Sequence, residues 1–205
     1  MIYRNVIFFL FLSLLIGCAQ VSENESGITE VVEAGDKKSV QSIVTERAYK
    51  VLNALRHQEM KELAGFVHPK KGVLFSPYGT IEKKRAQVLM PMQIRELLKN
   101  RKQYEWGMEA GSGKPIRLTP IDYFNTYVND VDYSETDFVT YNDYFEETNS
   151  LQNSKEAFPD SHFIEFFVPG SEENGGLDWK SLKLVFTEYE GEQYLVGVVH
   201  DQWTP

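Results

Sequence analysis

Two histidines and one aspartate are the residues of this chain whose chemistry could serve catalysis. His68 stands directly before Pro69 at the end of a helix-like segment, and an unperturbed imidazole titrates at about pH 6.5, which suits a general base. His68 could equally cap the helix end, where a positive charge suits the free carbonyl groups. His200 and Asp201 are neighbours in a strand-like run, so their side chains point to opposite faces and cannot form a dyad with each other.

The same alternation predicts the neighbours of this pair. It places His200 on the face of Tyr194, Val196 and Val198, and Asp201 on the face of Leu195 and Val199. A buried imidazole or carboxylate needs a partner. A contact to His68, to Lys183 or to a tyrosine hydroxyl would supply one.

Aromatic residues suggest a binding site rather than a reaction. They make up 13% of the chain, and most of them must form the core. A pocket lined by Trp and Tyr rings with a few polar groups also holds apolar ligands or sugars. The sequence therefore predicts a pocket formed by some of these residues: His68, Tyr104, Trp106, Trp179, His200, Asp201 and Trp203.

Other motifs fail the spacing that their chemistry requires. A calcium loop that starts at Asp130 would need an oxygen ligand at position 5, a glycine at position 6 and an acid at position 12, but those positions hold Ser134, Glu135 and Tyr141, so the acidic segment 130–147 does not match. We interpret it as a solvated loop. The run Gly111-Ser-Gly-Lys lacks the phosphate-loop spacing and is interpreted as a turn. We expect no metal and no cofactor.

Cys18, the only cysteine, indicates where the protein resides. Leu15-Ile-Gly-Cys18 closes an eleven-residue apolar run, Val6 to Ile16, that follows Arg4. This is the pattern of a bacterial lipoprotein export signal, and the run is shorter than the roughly 20 residues that span a bilayer. We expect cleavage after residue 17, lipid on Cys18, and a domain outside the cytoplasm that is attached to the membrane of the cell envelope. The alternative is an ordinary signal peptide with an incidental cysteine.

The charge of the chain excludes one class of partner. The formal net charge is −9, and removal of residues 1–17 takes away one basic residue, Arg4, which makes it −10. Nucleic-acid binding needs clustered basic side chains. Here the basic side chains are scattered, apart from Lys83-Lys84-Arg85, which we interpret as a solvated turn. We therefore expect no nucleic-acid partner.

The spacing of apolar side chains predicts the elements that position these residues. Residues 18–38 are polar and predict a flexible tether, and 39–205 predict one globular domain. Ser39 suits an N-cap for a helix over 39–56, and a second short helix ends at His68, because a residue before proline leaves the α region. Further predictions are a strand over 72–78, helices over 92–99 and 121–128, two strands at 104–108 and 115–118, and three terminal strands at 162–168, 182–189 and 194–200.

Two resemblances accompany these patterns. The stretch from Val51 to Pro69 resembles the opening helices of nuclear-transport-factor-2-like (NTF2-like) domains, and the hairpin from Leu182 to Trp203 resembles the strands that close that fold. The segments His68–Tyr78 and His200–Trp203 resemble those of a set of uncharacterised bacterial lipoproteins, a likeness that covers about residues 45–205. The first resemblance implies an α+β fold of N-terminal helices packed on a curved, mainly antiparallel sheet that forms a cone.

Two functions remain open from the sequence. The favoured one is a non-catalytic, membrane-anchored envelope lipoprotein that binds a small molecule, a cell-wall fragment or a protein. The alternative is a hydrolase or isomerase with a His/Asp site in a cone-shaped pocket. Fold resemblance does not decide between them.

Overall fold

The structure is a computed structural model that describes residues 38–145 and 148–204. The predicted signal segment 1–17 and residues 18–37 of the predicted lipidated tether, 18–38, lie outside the described residues. The described residues form one compact unit. Within the described part of the chain, no helix combines the length and the apolar character needed to cross a membrane.

The described residues form five α-helices: α1 (Val40–Arg56), α2 (Met60–Phe66), α3 (Pro91–Arg95), α4 (Pro120–Tyr127) and α5 (Ser154–Ala157). The first begins where its sequence predicts, because Ser39 accepts a hydrogen bond from the Ser42 backbone N–H. In the same way Thr119 accepts from the Asp122 N–H and begins α4. The predicted helix 92–99 divides into α3 and a 3-10 turn, Leu97–Lys99.

Eight strands form two sheets: β1 (Val73–Ser76), β2 (Gln87–Leu89), β3 (Tyr104–Met108), β4 (Pro115–Leu118), β5 (Phe138–Tyr141), β6 (His162–Val168), β7 (Lys180–Tyr189) and β8 (Glu192–Gln202). The large sheet has the order β2-β1-β8-β7-β6-β5, and β3 pairs with β4 alone. All neighbours in the large sheet are antiparallel except β1 and β8. The predicted α+β class, with helices packed on a mainly antiparallel sheet, is confirmed.

The large sheet is buried on both faces. On the helix face, Phe75, Phe166, Leu184 and Val198 belong to one core with the apolar side of α1. The opposite surface, which we call the loop face, carries a second apolar cluster of Leu74, Phe163, Val185, Val196 and Val199. It is covered by Tyr144, Ile81, Ala157 and Phe158 rather than by long helices.

A β-bulge in β8 changes the predicted faces. Val185 pairs with Gly197, whereas Phe186 pairs with Leu195, so Val196 is the extra residue. From there His200 shares the helix face with Val198 and Leu195, and Asp201 shares the loop face with Val199 and Val196. The prediction that grouped His200 with Val196, and Asp201 with Leu195, was wrong. The extra residue of the bulge shifts the alternation of side chains between the two faces by one position.

Four elements differ from the sequence interpretation. Strand β5 and a 3-10 turn, Tyr133–Glu135, lie within the acidic segment that we interpreted as a solvated loop, and the Asp130 side chain is only 10% exposed. Strand β2 and helix α5 were not predicted. Each is only three or four residues long, too short for its periodicity to distinguish it from a loop.

Trp106 stabilises the junction of the small sheet with α4. Its ring stacks on Tyr123 with 4.0 Å between centroids and meets Phe75 edge to face at 6.0 Å. The indole N–H donates to the Leu118 carbonyl at 3.0 Å. Trp106 is fully buried, whereas Trp203 is 36% exposed.

We therefore expect Trp106→Ala to lower the free energy of unfolding by about 3–5 kcal/mol, because it empties a packed site. The matched control Trp203→Ala should cost about 1 kcal/mol or less, since its side chain is at the surface. Urea titration followed by circular dichroism measures both. Equal losses would show that Trp106 is not a core anchor.

Candidate functional site

A cleft on the loop face contains one of the predicted site residues, Asp201. Its volume is about 610 Å³, and its walls include Tyr78, Thr80, Glu109, Asn149, Ser150 and Asp201. We call it the Asp201 cleft. These residues come from the turn after β1, the β3–β4 turn, the segment before α5 and the end of β8. Four separate parts of the chain therefore meet around it.

Asp201 is a fully buried carboxylate held by three donors. Its Oδ2 accepts hydrogen bonds from Ser150 Oγ and, at 2.6 Å, from Gln152 Nε2. Its Oδ1 accepts the Gln202 backbone N–H at 3.0 Å. These bonds fix the carboxylate plane beside the cleft and satisfy it without a direct cation.

A buried polar network continues from Asp201 across the loop face. Lys183 Nζ donates to Gln152 Oε1 at 2.9 Å and lies 3.3 Å from Glu165 Oε1. That same Glu165 oxygen accepts from Ser181 Oγ at 2.8 Å. Lys183 and Glu165 are both fully buried, and Glu165 Oε2 has no hydrogen-bond partner. Lys183 Nζ also lies 5.0 Å from the centre of the Tyr144 ring, within the distance of a cation–π contact.

The loop that covers this network is fastened to the turn after β1. Thr80 Oγ1 donates to the Leu151 carbonyl at 2.6 Å, and the Ile81 N–H donates to Asn153 Oδ1 at 2.8 Å. The turn passes so close that a Cβ at Gly79 would lie 2.5 Å from Asp201 Oδ2 and 2.7 Å from Gln152 Nε2. Only glycine fits at this approach without displacing the Asp201 contacts.

His200 faces away from the cleft and is also fully paired. Its Nδ1 lies 2.9 Å from the Pro77 carbonyl oxygen, and its Nε2 lies 3.1 Å from Asp130 Oδ2. The Pro77 carbonyl oxygen and the Asp130 carboxylate oxygen are both acceptors, so each ring nitrogen of His200 is engaged with a group of the fold. Neither nitrogen is left to act on a substrate.

Asp130 completes this second cluster. It accepts from the Tyr133 hydroxyl at 2.9 Å and lies 3.2 Å from Lys180 Nζ. Burial acts to raise the pKa of Asp130, but the hydrogen bonds from His200 and Tyr133 and the charge of Lys180 outweigh it and hold that pKa below its usual value. The cluster ties the segment after α4 to β7 and β8.

His68 has a structural role that differs from the predicted cap. Its Nδ1 accepts the backbone N–H groups of Lys70 and Lys71 at 3.1 and 3.0 Å, so it binds donors of the next turn rather than helix carbonyls. The ring packs against Tyr189 and Tyr194. Burial, and then the charge of Lys71, lower the pKa of His68, which favours the neutral acceptor.

The remaining predicted pocket residues do not converge. Trp106 is in the helix-face core, and Tyr104 packs beside it with its hydroxyl accepting from Asn100 at 2.7 Å. Trp179 stacks on Phe167, and Trp203 lies partly exposed near the end of the chain. Of the predicted set, Asp201 contributes to the cleft, while His68 and His200 serve other contacts.

Sequence reasoning missed Ser150, Gln152 and Asp130. The first two lie in a segment without periodicity, and only their polar character could have marked them. Asp130 follows α4 closely, yet it begins an acidic segment whose composition suggested solvent exposure. Among the described residues, no group of three or more His, Cys, Asp or Glu side chains is placed to hold a metal ion.

Comparisons with known proteins give no family. No protein-family model matches the chain, and no curated protein matches it. Two solved structures are similar over 78% of this chain at 11% identity: a protein described as a calcium/calmodulin dependent protein kinase II association domain from Xanthomonas campestris, with 84% of its chain covered and a TM-score of 0.32, and Aln2 from a Streptomyces species, with 88% covered and a TM-score of 0.35. Likeness at this level carries no functional argument.

The neutral state of His68 predicts a pH dependence. Its folded pKa is lowered, so the folded state binds fewer protons than the unfolded state just below about pH 6.5, the unfolded value. The contribution of His68 to stability is therefore complete above that pH and is lost as the pH falls through the folded pKa. We expect His68→Asn, which keeps an acceptor but does not titrate, to flatten this part of the profile.

Chemical denaturation between pH 8 and 5 measures the difference. His57→Asn is the matched control, because His57 is exposed at the end of α1. An unchanged slope in His68→Asn would contradict the neutral acceptor.

Proposed function

We propose that this protein is a lipid-anchored protein of the cell envelope that binds, without catalysis, a small hydroxyl-rich ligand such as a cell-wall saccharide fragment. The ligand occupies the Asp201 cleft. The lipid on Cys18 attaches the domain to the membrane, and the domain lies outside the cytoplasm. The observation that carries the proposal is a cleft of about 610 Å³ whose wall residue Ser150 is held in place by the buried Asp201 carboxylate.

The chemistry of the walls supports a polyol ligand. Tyr78 supplies an aromatic ring, and Asn149, Ser150, Thr80 and Glu109 supply donors and acceptors at the rim. An aromatic surface beside directional hydrogen-bonding groups is how such ligands are oriented. The volume lies within the range of about 300–1,000 Å³ that small-molecule sites occupy.

The hydrolase or isomerase alternative has weaker support. Both nitrogens of His200 have partners in the fold, and Nδ1 of His68 is used by the backbone. Ser150 donates to a carboxylate rather than to an imidazole. General-base chemistry needs a basic atom within reach of the substrate, and neither histidine is in the cleft wall.

Membrane attachment is proposed from the sequence of residues 1–18. A diacylated cysteine provides two acyl chains, and two lipid signals are needed for stable anchoring. After removal of 1–17 the lipid on Cys18 is the anchor that the sequence offers.

Cys18→Ser tests the anchor. We expect the variant to move from the membrane fraction to the soluble fraction, because the lipid can no longer be attached. Cell fractionation followed by immunoblotting measures the distribution, with Ser22→Ala as the control for a neighbouring change. Membrane association that stays at the wild-type level would reject lipidation.

Glu109→Gln tests the cleft, because it removes a charged acceptor from an exposed rim position without disturbing the core. We expect about tenfold weaker binding of muramidase-released cell-wall fragments, the loss typical of a hydrogen bond to a charged group. Native mass spectrometry of chain 18–205 with Cys18→Ser measures the affinity. Glu62→Gln is the control, since Glu62 borders a groove of about 610 Å³ between α2 and α3.

Wild-type affinity in Glu109→Gln, or an equal loss of affinity in Glu62→Gln, would show that the ligand does not bind in the Asp201 cleft. A complete lack of binding by the unaltered domain would reject the saccharide class.

A further inference from the structure

A second groove on the loop face lies between β1, β2 and the residues that follow α5. Its volume is about 430 Å³, and Lys71, Lys83, Leu74, Val88, Phe158 and Thr187 are among the residues of its walls. We call it the Phe158 groove. Asp201 and Ser150 are not in its walls, so it is separate from the Asp201 cleft.

The charge of the Phe158 groove is opposite to that of the chain. The chain has a formal net charge of −9, yet the walls contain two lysines and no aspartate or glutamate. Across residues 38–145 and 148–204, neither Lys71 nor Lys83 forms an ion pair. The charge of Lys71 also acts on the neighbouring His68, whose pKa it helps to lower. An anionic group would be attracted here and repelled by much of the remaining surface.

The floor of the groove is apolar and well built. The Phe158 ring approaches the sheet at Gly197, where a Cβ would lie 2.9 Å from its Cζ. Leu74 and Val196 are each 5% exposed beneath it, whereas Val88 on the edge strand is 47% exposed. Lys83 also contacts this ring, with its Nζ 5.5 Å from the ring centre. An exposed valine beside a recessed aromatic ring offers surface to an apolar body.

Two hydroxyl groups add a hydrogen-bond donor. Ser161 Oγ and Thr187 Oγ1 lie 2.6 Å apart, and both residues are in the groove walls. One proton is used between the two oxygens, so the pair retains a second O–H that can donate to a ligand. The groove therefore combines two cations and a hydroxyl donor with an apolar floor.

We infer that the Phe158 groove binds an amphiphilic anion, with a carboxylate or phosphate head group held by Lys71 and Lys83 and an apolar body on Phe158 and Val88. The Lys83-Lys84-Arg85 run, interpreted from the sequence as a solvated turn, is indeed exposed. Its first lysine nevertheless has this role. The inference is independent of the ligand proposed for the Asp201 cleft.

Isothermal titration calorimetry with chain 18–205 carrying Cys18→Ser tests the inference with monomeric amphiphiles as probes. The probes are decanoate and decyl phosphate, which differ in head group, with decanol and decyltrimethylammonium as neutral and cationic comparisons, all below their micelle concentrations. We expect at least one anion to bind at least about tenfold more tightly than decanol, since charge-assisted hydrogen bonds contribute on this scale. The stronger anion identifies the head group.

Variants locate the binding site. Lys71→Gln combined with Lys83→Gln should weaken anion binding at least about tenfold, and Val88→Glu should do the same by repulsion while leaving both lysines in place. Lys84→Gln is the matched control, because it removes the same charge from the next residue, which is outside these walls. Thermal melting confirms that each variant is folded.

Several outcomes would overturn the inference. Decanol that binds as tightly as both anions would show an apolar site without charge recognition. Wild-type anion affinity in the double lysine variant and in Val88→Glu, or an equal loss in Lys84→Gln, would place the anion elsewhere. If neither anion binds at millimolar concentration, the proposed site is rejected.

Discussion

The burial of β8 on both faces is the constraint on which the rest of the domain depends. A strand covered on one side only could leave its polar residues in water, but His200 and Asp201 are 1% and 0% exposed. A buried polar group without a partner costs about 1–3 kcal/mol, so each face must supply partners. The helix side supplies Asp130 and the Pro77 carbonyl, and the loop side supplies Ser150 and Gln152. Neighbouring residues of one strand thus fasten two different coverings to the sheet.

This arrangement explains why the candidate sites lie on the loop face. The helix face is closed by α1 and its apolar side chains, whereas the loop face is covered by short segments held by side-chain hydrogen bonds. Loops placed on a rigid scaffold are where binding groups concentrate. The Asp201 cleft opens where the covering loop is hydrogen-bonded to Asp201, and the Phe158 groove opens where Gly197 leaves room for an aromatic ring.

The sequence predicted the elements whose signals are local and long. Helix α1 follows from Ser39 and its periodic apolar face, and β6 has the predicted bounds 162–168. The β8 bulge was not predictable, because alternation counts residues and cannot reveal that Val196 is an extra one. The partners of His200 and Asp201 were also hidden, since Asp130 and Ser150 are 70 and 51 residues away. Trp106 was chosen for the chemistry of its ring, which is the same in a pocket and in a core.

Amide hydrogen exchange by NMR, on Asp201→Asn and on the unaltered domain, tests most directly whether Asp201 fastens the loop face. The amides of Ile81, Ala157 and Phe158 report on the covering, because they donate to Asn153 Oδ1, the Asn153 carbonyl and the Ser154 carbonyl. The account predicts that their exchange accelerates at least about tenfold, the scale of one hydrogen bond to a charged group, while the amides of α1 keep their protection. Unchanged exchange at all three amides would show that the covering does not depend on Asp201, and would contradict the account.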